Sequence, residues 1–193
     1  VEFGHLIADA VYGSLAFAHY LNDRGIRFFL DTRSNQLIYL RDPKPYLPQR
    51  KGPTGRACRK LKIKHRGMMV RSLLRRIQPQ QWETIRVRKA TKGYLWVQGF
   101  SIRVYFFNAK VKKPPIQWWL VITRDVGSGD IKYFFSNMPP KTSTGHLVRT
   151  HRRRYWIERN FQDAKTSVGM AQYQVRCWHG WHHHMSFCMV AML

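Results

Sequence analysis

The first thirty residues alternate between short apolar runs and polar breaks. Leu6 to Ala8 is an apolar run that meets Asp9, and Ser14 stands where a helix N-cap is expected. Gly25 ends the predicted helix, and a second apolar run covers residues 26–30. Strand, helix and strand at this spacing predict a βαβ unit with a parallel strand pair and a right-handed crossover. Ligands bind beyond the carboxyl ends of such strands, so Asp9 is a candidate site residue, although a turn or capping role explains it equally well.

Residues 32–66 show no regular apolar period. Proline and glycine interrupt the segment, cations are frequent in it, and no acid occurs between Asp42 and Glu83. This composition predicts a loop or weakly ordered hairpin that contacts phosphate groups, with Lys51 and Arg56 as candidate contacts. A solvated linker without a ligand is the alternative.

A short helix is predicted over 68–77, and from Trp82 onward the apolar period is two. Predicted strands cover 82–88, 94–97, 100–106, 118–123 and 131–135, with breaks at Gly93 and Gly99. Short turns between them indicate an antiparallel, β-rich module. Its aromatic residues form the sheet core or stack on nucleic-acid bases; they are Trp96, Tyr105, Trp118, Trp119 and Tyr133.

One long helix is predicted from Thr142 or Ser143 to Gly169. Each helical residue advances by about 100°, so two stripes lie side by side. The polar stripe is His151, Arg154, Glu158 and Lys165, and the apolar stripe is Ile157, Phe161, Ala164 and Val168. Glu158 is thus a carboxylate among cations, either as a site residue or as the partner of Arg154 in a solvated ion pair. A last apolar helix over 181–193 is expected to pack in the core.

Charge narrows the class of partner. The 193 residues carry 34 Lys and Arg against 10 Asp and Glu, a formal net charge of +24. Such a surface repels itself unless a polyanion covers it, which favours nucleic acid over an anionic membrane. The longest apolar run, 185–193, is too short to span a bilayer. Three cysteines form no paired framework, as is typical of a reducing cytoplasm.

Three motifs resemble the insertion-sequence transposases of the DDE type. They are L-I-A-D-A-V-Y-G at 6–13, R-Y-W-I-E-R-N-F-Q-D-A-K at 154–165 and W-H-G-W-H-H-H-M at 178–185. The resemblance implies an α/β fold in which a ribonuclease H-like core, here partial, is interrupted by a β-rich insertion. It divides the chain into a βαβ part of the core with Asp9 (1–31), a basic loop and β-rich insertion (32–142), and C-terminal core helices (143–193).

The resemblance also implies roles for residues. Asp9 would be the second catalytic carboxylate and Glu158 the third. The family's helix signature is Tyr, two residues, Arg, three residues, Glu, six residues, Lys; Arg154, Glu158 and Lys165 match it, whereas His151 stands in place of the Tyr. Arg154, Lys165 and His151 would contact DNA.

Arg159, beside this signature, would contact DNA as well. The first catalytic Asp of the family would lie before Val1, so we expect these residues to be a C-terminal piece that is inactive alone.

Two carboxylates from distant positions suit a site for two Mg²⁺ or Mn²⁺ ions about 4 Å apart, which cleaves and joins phosphodiesters. The expected function is that of a DNA transposase acting on double-stranded transposon ends and target DNA. A homodimer on DNA, in the bacterial cytoplasm with the nucleoid, is implied as well.

Two other interpretations remain. The chain could be a non-catalytic basic nucleic-acid-binding protein or a transposon remnant. A zinc site made of Cys177 and the histidines at 179 and 182–184 matches no closed zinc pattern.

Overall fold

The computed structural model describes residues 4–49, 61–90, 93–111, 113–174 and 176–192. Two compact units divide the chain, Val1–His151 and Arg152–Leu193. The strands are β1 Leu6–Ala8, β2 Phe28–Asp31, β3 Leu37–Ile38, β4 Pro45–Tyr46, β5 Lys62–Ile63, β6 Met68–Met69, β7 Glu83–Lys89, β8 Tyr94–Phe106, β9 Ile116–Asp125 and β10 Ile131–Ser136. The helices are α1 Leu15–Asp23, α2 Val70–Leu74, α3 Thr144–His151, α4 Arg154–Ser167 and α5 Trp178–Ala191.

The predicted βαβ unit is confirmed at the start of the first unit. β1 and β2 pair in parallel, with Ala8 opposite Leu30. The Ser14 hydroxyl accepts a hydrogen bond from Phe17 N at 3.2 Å and so caps α1. Gly25 follows the helix with a φ of +70°, a conformation that costs glycine little.

A six-stranded mixed sheet forms the framework of this unit. Its strand order is β1-β2-β10-β9-β8-β7, and every pair except β1–β2 is antiparallel. The strands predicted as an antiparallel module, β7 to β10, therefore continue the same sheet as the βαβ unit. Two separate two-stranded ladders, β3–β6 and β4–β5, lie in the segment between them.

The predicted break at Gly99 is wrong, because β8 is a single strand of 13 residues. Gly99 stays in the ladder, opposite Glu83 on one side and Thr123 on the other. A Cβ at this position would lie 2.8 Å from Ile85 Cδ1 and 3.1 Å from Val148 Cγ2. The glycine is thus explained by the close approach of α3 to the sheet, which a periodicity argument does not detect.

The single long helix is also wrong, because α3 ends at His151 and α4 begins at Arg154. Tyr155 N and Trp156 N donate to the carbonyls of Arg152 and Arg153, three residues earlier instead of four. This tighter turn interrupts the helical ladder without a proline or glycine. His151 therefore does not share a helix with Glu158.

Two shorter helices differ from their predictions as well. The segment 68–77 contains β6 followed by the five-residue helix α2. α5 starts at Trp178, three residues before its predicted start, and Cys188 is its buried residue. Phe187 is 74% exposed, so the expectation that this helix packs wholly in the core is wrong.

Apolar side chains cover both faces of the sheet. On one face, α1 and α2 pack on Phe28, Trp118 and Phe135. Burial against Trp118 lowers the pKa of the His19 imidazole on α1, so that ring is neutral at neutral pH. On the other face, Leu147 and Val148 of α3 pack on residues such as Ile85 and Phe134, a smaller cluster.

Asn137 joins the two halves of the sheet with its side chain. Its Oδ1 accepts a hydrogen bond from Phe28 N at 3.0 Å, and its Nδ2 donates to Ile26 O at 2.9 Å. The residue is 7% exposed. A buried amide bonded to the backbone on both sides extends the contact between β10 and β2 beyond the end of the strand ladder.

We expect Asn137→Ala to destabilise the first unit by about 2–3 kcal/mol, because one buried and one part-buried backbone group lose their partners. Chemical denaturation followed by circular dichroism measures this change. Asn108→Ala is the control, since Asn108 is exposed and accepts one local hydrogen bond from Lys110 N. Equal losses in the two variants would contradict the role given to Asn137.

Candidate active site

Two carboxylates lie at the carboxyl ends of neighbouring parallel strands: Asp9 follows β1, and Asp31 is the last residue of β2. Because Ala8 lies opposite Leu30, the next residues, Asp9 and Asp31, come at the same edge of the sheet. Adjacent strands are separated by about 4.8 Å, and residues in register point to the same face. Sequence reasoning missed Asp31, although L-I-A-D and F-F-L-D are the same pattern of an apolar run followed by Asp.

A tight turn holds the backbone after Asp9. Tyr12 N donates to Asp9 O at 2.9 Å, and Gly13 N donates to Ala10 O at 3.2 Å. The Ala10 N–H donates to the carboxylate of Asp9, and Asp9 is an exposed residue. One carboxylate oxygen thus has a local backbone partner, as the turn interpretation expects, and a carboxylate has further acceptor sites for a ligand.

Gly13 brings this turn against the end of β2. A Cβ on Gly13 would lie 2.0 Å from the carbonyl oxygen of Asp31, a distance that no side chain tolerates. The glycine is therefore a packing requirement at the carboxylate edge. It fixes the turn after Asp9 relative to Asp31.

His151 contacts Asp31 at this edge. Its Nε2 lies 2.6 Å from Asp31 Oδ1, and the two side chains are 4% and 16% exposed. The imidazole also stacks on Phe134, with ring centres 3.9 Å apart and planes 4° apart. Phe134 is in turn the β10 residue opposite Asp31. The contact therefore attaches the end of α3 to the end of β2.

In the second unit, α4 carries Glu158 in an ion pair. Arg154 Nη2 lies 3.0 Å from Glu158 Oε1, and the Glu158 side chain is 62% exposed. Arg159 and Asp163 form an equivalent pair at 3.0 Å. Exposed pairs at this spacing contribute only a few tenths of a kcal/mol, about 0.3–0.5. Glu158 can therefore exchange its partner at little cost.

The apolar stripe predicted beside Glu158 does not form a closed core. Ala164 is 3% exposed, whereas Ile157 is 53% exposed and Phe161 is 50% exposed. Within the second unit these three line a cavity of about 320 Å³ together with Met170, Met189 and Met192.

The other predicted site residues differ in their surroundings. Lys165 is exposed on α4, and Arg159 is held by Asp163. His151 is buried with Asp31 as its partner, and its contact with DNA stays a prediction. Lys51 and Arg56 lie outside the described residues.

The zinc interpretation gains no support. Among the described residues, no group of three or more His, Cys, Asp and Glu side chains is arranged to hold a metal ion. Cys177 instead caps α5, its sulfur accepting from Gly180 N at 3.4 Å. Among all the residues that the structure describes, no helix is both long enough and apolar enough to cross a membrane.

Gly13→Ala should destabilise the first unit by about 1–3 kcal/mol, because the new methyl group must displace the end of β2. The measurement is the midpoint of chemical denaturation. Gly127→Ala is the matched control: its Cβ would make an ordinary 3.6 Å contact with Asp125 Oδ1, and we expect a change within about 0.5 kcal/mol. A Gly13→Ala variant as stable as the parent would refute the packing requirement.

A double-mutant cycle tests the Asp31–His151 contact. We expect Asp31→Asn and His151→Gln to be coupled by about 1–3 kcal/mol in unfolding free energy, because both residues are largely buried. Asp23 and Lys113 supply the control cycle, since their 2.8 Å ion pair is about half exposed (47% and 46%) and should couple by less than about 1 kcal/mol. Additive losses at Asp31 and His151 would show that the contact contributes nothing specific.

Comparison with known proteins supplies the family context for this edge. A search of curated proteins gives no match. Residues 1–94, which include Asp9 and Asp31, match the model of a family described as DDE superfamily endonuclease. The mixed α/β architecture with its six-stranded sheet is compatible with a DDE nuclease fold. The match covers 94 of the 193 residues and supports a DDE-type domain in that part of the chain.

Proposed function

We propose that the protein is a DDE-type DNA transposase that cleaves and joins phosphodiester bonds at transposon ends with the help of divalent metal ions. The observation that carries the proposal is the position of Asp9, at the carboxyl end of β1 inside the segment that matches the DDE endonuclease family. This is where parallel strands present ligand-binding residues.

Asp9 and Glu158 are the proposed metal ligands. Both are exposed carboxylates, and hard oxygen donors suit Mg²⁺ or Mn²⁺. When bound, two such ions stabilise the attacking and the leaving oxygen of an in-line displacement. The Ala10 N–H donates to the Asp9 carboxylate and thereby orients it. Arg154 neutralises Glu158 until that carboxylate binds its ligand.

Arg154 and Lys165 are the proposed phosphate contacts on α4. Their spacing from Glu158 follows the helix signature of insertion-sequence transposases. A guanidinium and an ammonium group bind backbone phosphates without competing for the metal ions. His151, Arg159, Lys51 and Arg56 are further proposed contacts, and the net charge of +24 favours DNA along the whole chain.

Double-stranded DNA, as transposon end and target, is the proposed partner, with a homodimer assembled on it in the bacterial cytoplasm near the nucleoid.

The competing function is a non-catalytic basic nucleic-acid-binding protein or a transposon remnant, which the net charge of +24 alone would also explain. Such a protein binds DNA with a steep salt dependence but independently of Glu158 and of divalent ions. The two functions therefore differ in their response to one carboxylate.

The test is nicking of a plasmid that carries the transposon ends by the full-length protein with Mg²⁺ or Mn²⁺. We expect Asp9→Asn and Glu158→Gln to reduce nicking to background while DNA binding persists. Asp163→Asn is the matched control, because Asp163 lies on the same helix in the same kind of Arg pair at 3.0 Å. It should leave nicking unchanged. Full nicking by both carboxamide variants would exclude the proposed roles.

A further inference from the structure

An open groove of about 600 Å³ runs along the outer edge of β7. β7 is the last strand of the six-stranded sheet, so within the described part of the chain no strand pairs with that edge. All seven residues of β7 line the groove, together with Tyr94, Trp96 and Arg149. It belongs entirely to the first unit and contains neither Asp9 nor Asp31.

The groove is strongly basic. Arg86, Arg88 and Lys89 come from β7 and Arg149 comes from α3, against a single acid, Glu83. Cations concentrated along a concave surface favour an anionic ligand and raise its local concentration. The ligand must be extended, because the cations are distributed along a strand and not gathered at one point.

Two aromatic side chains of β8 lie opposite two of these cations, Trp96 opposite Arg86 and Tyr94 opposite Lys89. Tyr94 is 50% exposed and Trp96 is 43% exposed, unlike Trp118, which is 2% exposed in the core. Ile85 and Val97 face α3, so Arg86 and its partner Trp96 lie on the opposite face of the strands. The Arg86 guanidinium lies over the Tyr94 ring, 4.8 Å from its centre. Exposed rings and cations along one groove are the pattern of single-strand nucleic-acid sites.

A protein strand is a poorer occupant of this edge. The ladder between β7 and β8 shifts register between Arg86 and Arg88, which is a bulge. A bulge opposes the addition of another strand because it interrupts the regular row of backbone donors and acceptors. Basic side chains on an edge strand oppose it because the added strand would desolvate their charges. Both features leave the approach of a phosphodiester backbone unhindered.

We propose that the β7 groove binds single-stranded DNA, with phosphates on Arg86 and Lys89 and unpaired bases stacked on Trp96 and Tyr94, the residues opposite them on β8. The choice of DNA over RNA rests on the proposed function. The affinity of the groove for a single strand does not, because it needs neither metal ions nor the carboxylates. Binding measured in a chelator and nicking measured in Mg²⁺ can therefore fail separately.

The chain offers a matched control for this groove. On α1, Arg24 lies over the ring of Tyr20, with its Cζ 3.6 Å from the ring centre. Tyr20 is 50% exposed, as Tyr94 is. The pair Arg24–Tyr20 reproduces the pair Arg86–Tyr94 outside the groove. Variants at the two pairs differ in location and not in chemistry.

The experiment titrates the chain, in the presence of a chelator, with an oligothymidylate of about 12 nucleotides, within the size range of known single-strand grooves. Anisotropy is recorded at several salt concentrations. Arg86→Gln should lower the slope of log K against log salt by about 0.7, the value for one phosphate contact with a single strand, and Arg24→Gln should not. Trp96→Ala and Tyr94→Ala should each weaken binding by about tenfold, and Tyr20→Ala should not.

Three further arms make the outcome decisive. Trp96→Phe keeps a ring and should retain most of the affinity, which separates stacking from misfolding. A duplex of the same length should lose nothing on Trp96→Ala, because its bases are already stacked. Polyglutamate is an anionic chain without bases, so it should compete with the oligonucleotide equally for the parent protein and for Trp96→Ala. Equal effects at the two Arg–Tyr pairs, equal loss for the duplex, or Trp96-dependent binding of polyglutamate would each overturn the proposal.

Discussion

The antiparallel contact between β2 and β10 is the interaction on which the first unit depends. Only three residue pairs form it, with Phe134 opposite Asp31 at one end and Ser136 opposite Phe29 at the other. Yet it joins the parallel pair β1–β2, which carries both strand-end carboxylates, to the four antiparallel strands β7–β10. The same strands present buried phenylalanines to both faces, so the two apolar clusters of the sheet meet here. Loss of this short ladder would separate the strand ends that carry Asp9 and Asp31 from the four strands β7–β10.

One set of contacts connects the end of β2 with β10 and α3; it consists of Asp31, His151 and Phe134. Phe134 supplies a flat surface for the imidazole, and Asp31 supplies an acceptor for its ring nitrogen. Neither contact alone would hold a helix end, since one charged hydrogen bond contributes about 1.5–3 kcal/mol. Together they define the orientation of one side chain at the last residue of α3. His151, at the position where the resemblance implies a Tyr, thus has a structural role in this chain.

Local sequence pattern was enough to predict the βαβ unit and most strands. The signals used were a helix cap, a glycine that ends a helix and an apolar period of two, and each involves only residues close together in the sequence. Gly99 and the helix break at Arg152 could not be found in this way. The first depends on Val148, 49 positions away, and the second coincides with the attachment of His151 to Asp31, 120 positions away. Strand order made Asp9 a candidate, and the polar helical stripe together with the family resemblance made Glu158 one; the roles of both residues stay predictions. Asp31 was overlooked because Asp after a strand is commonly only a turn residue.

Asn137 supplies two side-chain hydrogen bonds at the point where the ladder between β10 and β2 ends. Two prolines follow at 139 and 140, and proline has no N–H to donate to a ladder. The Asn137 side chain takes over both the donor and the acceptor role of a strand residue, towards Ile26 and Phe28. Because the side chain makes these two bonds, the main chain can leave the sheet at Asn137 and turn towards α3. Glutamine carries the same amide group on a side chain that is longer by one methylene. At this position it would therefore not reproduce the last pair of hydrogen bonds of the sheet.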